Sequence, residues 1–235
     1  IDALEHYTSS HPLTVWLKID TGMHRLGFSA DEVPTAWQQL NLCPAVASPL
    51  KLLSHFASAD MRAEPTTQQQ IDTFMQITSD LPGELSLANS AGILAWPESH
   101  QDWVRPGIML YGISPFADST GEDFGLKPVM TLQSQLIAIR HLQAGDAVGY
   151  GGDWICPVDM PVGIVGIGYG DGYPRHVPSG TPVLIDGKTV PLVGRVSMDM
   201  LAVDLREHPL AEIGRPVILW GDGLPVETIA RHANT

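Results

Sequence analysis

The alternation of strands and helices stops partway along this chain, and this change restricts the possible folds more than any other feature. Up to about residue 116, short apolar runs alternate with helical stretches; a run at 15–20, for example, precedes a helical pattern at 32–40. This rhythm predicts βαβ units with parallel strands. After Pro115, a polar loop leads into strands separated by tight turns. The second part is therefore predicted to be mostly antiparallel.

The other predicted elements support this division. Further strands and helices of the first part are expected at 52–56, 66–81, 85–88, 92–96 and 107–111. In the second part, Asp186-Gly187 separates two apolar runs. It predicts a type I′ hairpin, because both central residues of that turn need a positive φ. We place the boundary so that the domains are 1–118 and 119–235.

The charge balance argues against several kinds of partner. The 235 residues include 26 acidic and 13 basic side chains, and the net charge of −13 would repel the phosphates of a nucleic acid. No apolar stretch is long enough for a membrane span, and a cytoplasmic protein is expected. Cys43 and Cys156 fit no metal-ligand spacing, so no metal site is expected and both thiols are predicted to be buried and reduced.

Polar residues cluster directly after the predicted strands of the first part, at the edge where barrel enzymes build their active sites. Lys18 and Arg25 flank the turn after the first strand, where a guanidinium could bind an anionic oxygen. A solvated loop would also explain both residues. His55 ends the next strand and could orient another side chain, although a core histidine fits as well. Asp60 is expected at the surface or rim.

Two later turns have the composition of a phosphate cradle. Asn89 and Ser90 lie between a strand and a helix, and Arg105 precedes Gly107 and Ile108. Backbone N–H groups, a hydroxyl and a glycine together bind phosphate, and the later half of a barrel is a frequent place for such a site. Turns of this kind also occur without any ligand.

Glycine-rich segments of the second part contain tyrosines. Tyr150 lies in one of them, and Tyr169 precedes Arg175 in another. Flanking glycines allow the backbone to hold a phenol beside a ligand; β-turns with half-buried tyrosines are the alternative. Arg195 and Met198 follow the predicted hairpin, in what would otherwise be a core strand.

Together these segments resemble the alanine racemase family, pyridoxal-phosphate-dependent enzymes of fold type III, and they match it in order over nearly the whole chain. The resemblance implies an α/β plus β fold, in which the second half of a (β/α)8 TIM-type barrel precedes a mostly antiparallel β-domain. It implies an isomerase that interconverts L-alanine and D-alanine by two-base exchange of the α-proton. It also implies a homodimer with composite active sites that supplies D-alanine for peptidoglycan.

The resemblance implies roles for individual residues. The catalytic position is Tyr150. The substrate-binding positions are Arg25 and Met198, and the carbamylated lysine is Lys18. The positions that bind pyridoxal phosphate are His55, Asn89, Ser90, Arg105, Gly107 and Ile108. The positions of the entry channel are Asp60, Tyr169, Arg175 and Arg195.

The resemblance implies that Arg105 faces the pyridine nitrogen of the cofactor. This position would explain why such an enzyme exchanges the α-proton but does not transaminate. A guanidinium donates a hydrogen bond but does not readily give up its proton. The ring is then a weaker electron sink, so transamination is suppressed while the α-proton is still exchanged. Arg105 and His55, if linked to Tyr150, would favour the phenolate that a base needs near neutral pH.

The chain departs from the family at the cofactor's lysine. Its lysines are Lys18, Lys51, Lys127 and Lys188, and none has the Asn-, Tyr- and Gly-rich context of the family's Schiff-base lysine. Both ends interrupt helical patterns, so we expect a fragment without the first part of the barrel and the C-terminal end. The alternatives are a broad-specificity amino-acid racemase, a barrel-type decarboxylase, which Arg105 disfavours, or an inactive cofactor-binding fragment.

Overall fold

Two compact units, Ile1–Leu110 and Tyr111–Thr235, make up the computed structural model, which describes residues 1–8 and 11–235. The buried carboxylate of Glu227 accepts hydrogen bonds from the N–H groups of Ser114 (2.9 Å) and Gly121 (2.8 Å). These bonds hold the polar loop to the second unit.

The first unit contains a three-stranded parallel sheet in the order β1-β2-β3. Its elements are α1 (Asp2–Glu5), β1 (Trp16–Lys18), α2 (Val33–Leu42), β2 (Lys51–Leu53), α3 (Thr66–Thr78), β3 (Leu85–Ser86) and α4 (Ser90–Ala95). Pro34 lies in the first turn of α2, where its missing N–H costs no helical hydrogen bond. The buried face of α2 is formed by Val33, Ala36 and Leu40, at helical spacing.

The predicted strand at 107–111 is wrong. The chain forms a 3-10 turn at Ile108–Tyr111 instead. The hydroxyl of Ser90 accepts the N–H groups of Gly107 (2.8 Å) and Met109 (3.3 Å). The Ser90 side chain thus accepts two backbone N–H groups that a strand would donate to a neighbouring strand. On the side of β3 away from β2, Trp103 forms an isolated parallel bridge with Ser86.

The second unit is a closed antiparallel barrel with the strand order β10-β7-β4-β11-β8-β9. The barrel strands are β4 (Leu132–Leu142), β7 (Met160–Val165), β8 (Pro182–Ile185), β9 (Lys188–Val193), β10 (Leu201–Asp204) and β11 (Pro216–Trp220). A separate two-stranded sheet pairs β5 (Ala147–Val148) with β6 (Trp154–Ile155), and α5 (Val226–His232) follows β11. The prediction of an antiparallel second part is confirmed.

The β8–β9 hairpin turns at Asp186-Gly187, as predicted. The φ angles of these residues are 50° and 75°, and Ile185 pairs with Lys188. Apolar side chains from all six strands fill the barrel. Cys43 and Cys156 are buried and free, as expected. In the described parts of the chain, no helix has the length and apolar character needed to cross a membrane.

Candidate functional site

The guanidinium of Arg105 lies at the carboxyl ends of two neighbouring parallel strands. Its Nη1 donates to the hydroxyl of Ser86 at 2.5 Å, and its Nη2 donates to the carbonyl of Ser54 at 2.6 Å. Ser54 directly follows β2, and Ser86 ends β3. The backbone N–H of Arg105 also donates to the carbonyl of Ala88 at 2.9 Å. Both the main chain and the side chain of Arg105 are therefore held against the sheet edge.

His55 lies beside this guanidinium in a strongly cationic setting. Its Nδ1 is 3.3 Å from Nη2 of Arg105. Burial lowers the pKa of His55, and the positive charges of Arg105, Arg25 and Lys18 lower it further. The imidazole is therefore neutral at pH 7. His55 thus lies in the field of three cations at the edge of the sheet, an arrangement suited to an anionic ligand.

Asp20 organises the loop that carries Arg25. Its Oδ1 accepts the N–H groups of Gly22 and His24, both at 3.0 Å, and its Oδ2 lies 3.1 Å from Nδ1 of His24. The hydrogen bond from the backbone of His24 is the largest cause that lowers the pKa of Asp20 to about 2. Lys18 donates across the base of the loop to the carbonyl of Leu26. Arg25 itself is exposed.

Asn89 and Ser90 form the turn at the start of α4. The side chain of Asn89 accepts the N–H of Gly92 at 2.9 Å and caps the helix. Ser90 accepts two backbone N–H groups, from Gly107 and Met109, on either side of Ile108. A hydroxyl has two acceptor lone pairs and one proton, so the proton of Ser90 is left to donate to another group.

Tyr150 lies on a 3-10 turn of the second unit, Tyr150–Gly152, and 71% of its surface is exposed. The neighbouring Gly149 and Gly151 have φ angles of 75° and 77°, which side-chain-bearing residues rarely adopt. A Cβ at position 151 would lie 3.4 Å from Cζ of Arg195. Arg195 in turn donates to the carboxylate of Asp153. Arg195 thus lies beside the glycine turn that carries Tyr150.

Tyr169, Arg175 and Met198 also lie close together in the second unit. Cζ of Arg175 is 5.4 Å from the ring centre of Tyr169. The N–H of Tyr169 donates to the carbonyl of Ser197 (3.0 Å), and that of Gly170 donates to the carbonyl of Met198 (2.8 Å). The glycine-rich tyrosine segment is therefore held beside the segment that follows β9. In the first unit, Asp60 is exposed in the loop after His55.

Sequence reasoning missed several residues that hold the site. Ser54 and Ser86 are both 1% exposed and supply the acceptors for Arg105. Gln70 of α3 and Thr21 bond to each other near His55. Adjacency to a strand end was a usable signal for the two serines. Nothing in the local sequence around Gln70 distinguishes it from its glutamine neighbours.

Family models match both parts of the chain. Residues 1–115 match "Alanine racemase, N-terminal domain", and residues 129–235 match "Alanine racemase, C-terminal domain". An alanine racemase of Nitrosococcus oceani is 58% identical over 236 residues, an alignment that covers 100% of this chain and 66% of the relative. The chain thus spans about two thirds of the length of such relatives.

Solved alanine racemase structures match nearly all of this chain and about three fifths of their own length. The biosynthetic alanine racemase from Pseudomonas aeruginosa superposes with a TM-score of 0.91 and 51% identity, and the match covers 95% of this chain and 62% of that one. The alanine racemase from Bartonella henselae, solved with covalently bound pyridoxal phosphate, has a TM-score of 0.81 at 29% identity and covers 95% of this chain and 61% of that one.

Proposed function

This chain belongs to the alanine racemase family, and from that premise we propose that the protein it forms part of interconverts L-alanine and D-alanine with pyridoxal phosphate as cofactor. The three parallel strands would be part of the second half of a (β/α)8 barrel. The reaction would supply D-alanine for peptidoglycan in the cytoplasm.

The environment of Arg105 is the observation that carries the proposal. Its guanidinium is anchored to Ser86 and to the carbonyl of Ser54, and it is half-buried beside a neutral His55. A fixed cation of this kind donates a hydrogen bond to a ring nitrogen without protonating it fully. That property suits proton exchange better than transamination or decarboxylation.

The residues of the first unit fit pyridoxal phosphate. Arg25 and Arg105 provide positive charge for an anionic cofactor. The proton of the Ser90 hydroxyl is free to donate to a phosphate oxygen, since both acceptor positions are used by backbone N–H groups. Phosphate would be held by Asn89, Ser90, Gly107 and Ile108, and the pyridine nitrogen by Arg105. His55 would fix the orientation of that guanidinium.

When bound, the cofactor supplies an electron sink that makes the α-hydrogen of the amino acid removable. The chain's own residues would do the rest. Tyr150 would remove or return the proton at the α-carbon on one face. Arg25 would hold the substrate carboxylate, with Lys18 carbamylated to keep it in place, and Met198 would contact the substrate.

Tyr150 is exposed in the second unit and is therefore accessible to another subunit. We infer that the protein is a homodimer in which Tyr150 of one subunit reaches the cofactor of the other. Asp60, Tyr169, Arg175 and Arg195 would then line the entry channel. The base for the opposite face would come from the part of the protein that this chain does not span.

A hybrid enzyme tests the proposal. This chain is joined to the segments of the Nitrosococcus oceani relative that it does not cover, and the product is assayed for D-alanine formation from L-alanine and for exchange of the α-hydrogen in D2O. We expect turnover and visible absorbance of bound pyridoxal phosphate. The matched control replaces the grafted cofactor lysine with alanine and should be inactive. A hybrid that takes up the cofactor yet exchanges no α-hydrogen would refute the assignment.

A further inference from the structure

Gln70 is a buried polar side chain of the first unit that makes three hydrogen bonds. It lies on α3 and is 2% exposed. Its Nε2 donates to the carbonyl of His55 and to the hydroxyl of Thr21, both at 3.2 Å, and its Oε1 accepts the N–H of Ala57 at 2.9 Å. The amide thus holds the main chain on both sides of Phe56, immediately after His55.

The same amide reaches the loop that carries Arg25. A Cβ at Gly22 would lie 3.6 Å from Cγ of Gln70, so this loop passes directly over the side chain. The hydroxyl of Thr21 is also 2.8 Å from that of Ser54, whose carbonyl accepts the hydrogen bond from Arg105. One side chain is therefore joined to the loops after β1 and β2.

We propose that Gln70 is a positioning residue for the racemase reaction, which sets the placement of His55 and Arg105 relative to the loop that carries Arg25. This inference rests on the proposed function. Without the amide, the partly buried carbonyl of His55 and N–H of Ala57 would lose these hydrogen-bond partners. The segment would then shift to reach water, and His55 would move away from Arg105.

Gln70→Met is the direct test, because methionine keeps the length of the side chain but removes its three hydrogen bonds. Gln69→Met is the matched control, since Gln69 is exposed on the same helix. The hybrid enzyme, without pyridoxal phosphate, is labelled at histidine Cε1, and the NMR signal of His55 is titrated. The charges that face this imidazole are those of Arg105, Arg25 and Lys18.

We expect the pKa of His55 to rise toward its ordinary value in Gln70→Met, because the ring becomes more hydrated and lies farther from the cations. Gln69→Met should titrate like the parent chain. An unchanged His55 titration in a folded Gln70→Met chain would overturn the proposal. This measurement needs neither cofactor nor turnover.

The hybrid enzyme provides the catalytic measurement. Gln70→Met should lower kcat/KM about 10- to 100-fold, as small misplacements of catalytic groups do, while Gln69→Met has no effect. Full activity in Gln70→Met would contradict a positioning role. Inactivity of the unmutated hybrid would instead refute the proposed function. The titration of His55 would then decide whether Gln70 is a positioning residue.

Thr21→Val carries the test if Gln70→Met does not fold. It removes the hydrogen bonds of the Thr21 hydroxyl to Gln70 and Ser54, and it leaves the bonds of Gln70 to His55 and Ala57 in place. We expect KM for alanine to rise about tenfold with little change in kcat, because the loop that carries Arg25 loses its side-chain links to Gln70 and Ser54. An unchanged KM would show that Gln70 does not position that loop.

Discussion

At the scale of single residues, two tyrosines of the second unit show why exposure matters for a phenol that is to act as a base. Tyr173 is 1% exposed, stacks on Trp220 and has a pKa raised by burial to about 12. Tyr150 is 71% exposed on a glycine-flanked turn. Tyr150 is therefore accessible to a group of another subunit, whereas the phenol of Tyr173 is not.

Replacement of Tyr150 by phenylalanine should abolish proton exchange without affecting the fold. In the hybrid enzyme, we expect Tyr150→Phe to reduce racemisation about 100- to 10,000-fold, the usual contribution of a general acid or base. Uptake of pyridoxal phosphate, followed by absorbance, should be unchanged. Tyr7→Phe, at another exposed tyrosine, is the control. Racemisation at the parent rate in Tyr150→Phe would remove this residue from the mechanism.

At the scale of elements, the loop after β1 is organised by one carboxylate. Asp20 is ionised and receives two backbone N–H groups, and its side chain is 18% exposed. Its pKa in the folded chain, about 2, lies below the ordinary value of 3.8. Asp20 therefore stabilises the fold fully above pH 4, and the contribution disappears as the pH falls through about 2.

The variant Asp20→Asn should expose this dependence. Asparagine still accepts hydrogen bonds but carries no charge, so it resembles the protonated acid at every pH. We expect Asp20→Asn to lower the free energy of unfolding by roughly 1 kcal/mol at pH 6, a value reduced for solvent screening. The difference from the parent chain should shrink between pH 4 and pH 2. Urea unfolding at several pH values measures it, and a difference that does not depend on pH would contradict the assignment.

At the scale of the whole molecule, the parallel sheet of the first unit does not close on itself. Among the described residues, its outer strands carry only isolated bridges on their outer sides, from Ile19 to Phe28 and from Ser86 to Trp103. It contains three strands in the order β1-β2-β3, and β1 pairs on one side with β2. An unpaired strand edge offers N–H and C=O groups to other chains. The barrel of the second unit has no such edge, because its six strands close on themselves. Self-association should therefore involve the first unit.

The isolated 235-residue chain is accordingly expected to self-associate, whereas the hybrid enzyme should form a discrete dimer. Sedimentation velocity over a range of protein concentrations distinguishes the two. A segment comprising 111–235 should stay soluble if the open sheet is the cause. A stable, folded monomer of the 235-residue chain would contradict the expectation.

Local patterns in the sequence were sufficient for the change from parallel to antiparallel strands, for most helices and strands, and for the Asp186-Gly187 hairpin. Each of these depends on neighbouring residues, through apolar spacing or the φ preferences of a turn. The candidate residues after the strands were found for the same reason, since parallel strands bring their carboxyl ends to one edge.

Only the tertiary structure decided which distant groups meet. The 3-10 turn at Ile108–Tyr111 replaced a predicted strand because the hydroxyl of Ser90 takes its N–H groups, and the closed order of the barrel follows from pairings between distant strands. Gln70 bonds to Thr21, 49 residues away. A hydrogen bond between residues so far apart leaves no periodic signal, because its partners are chosen by packing in three dimensions.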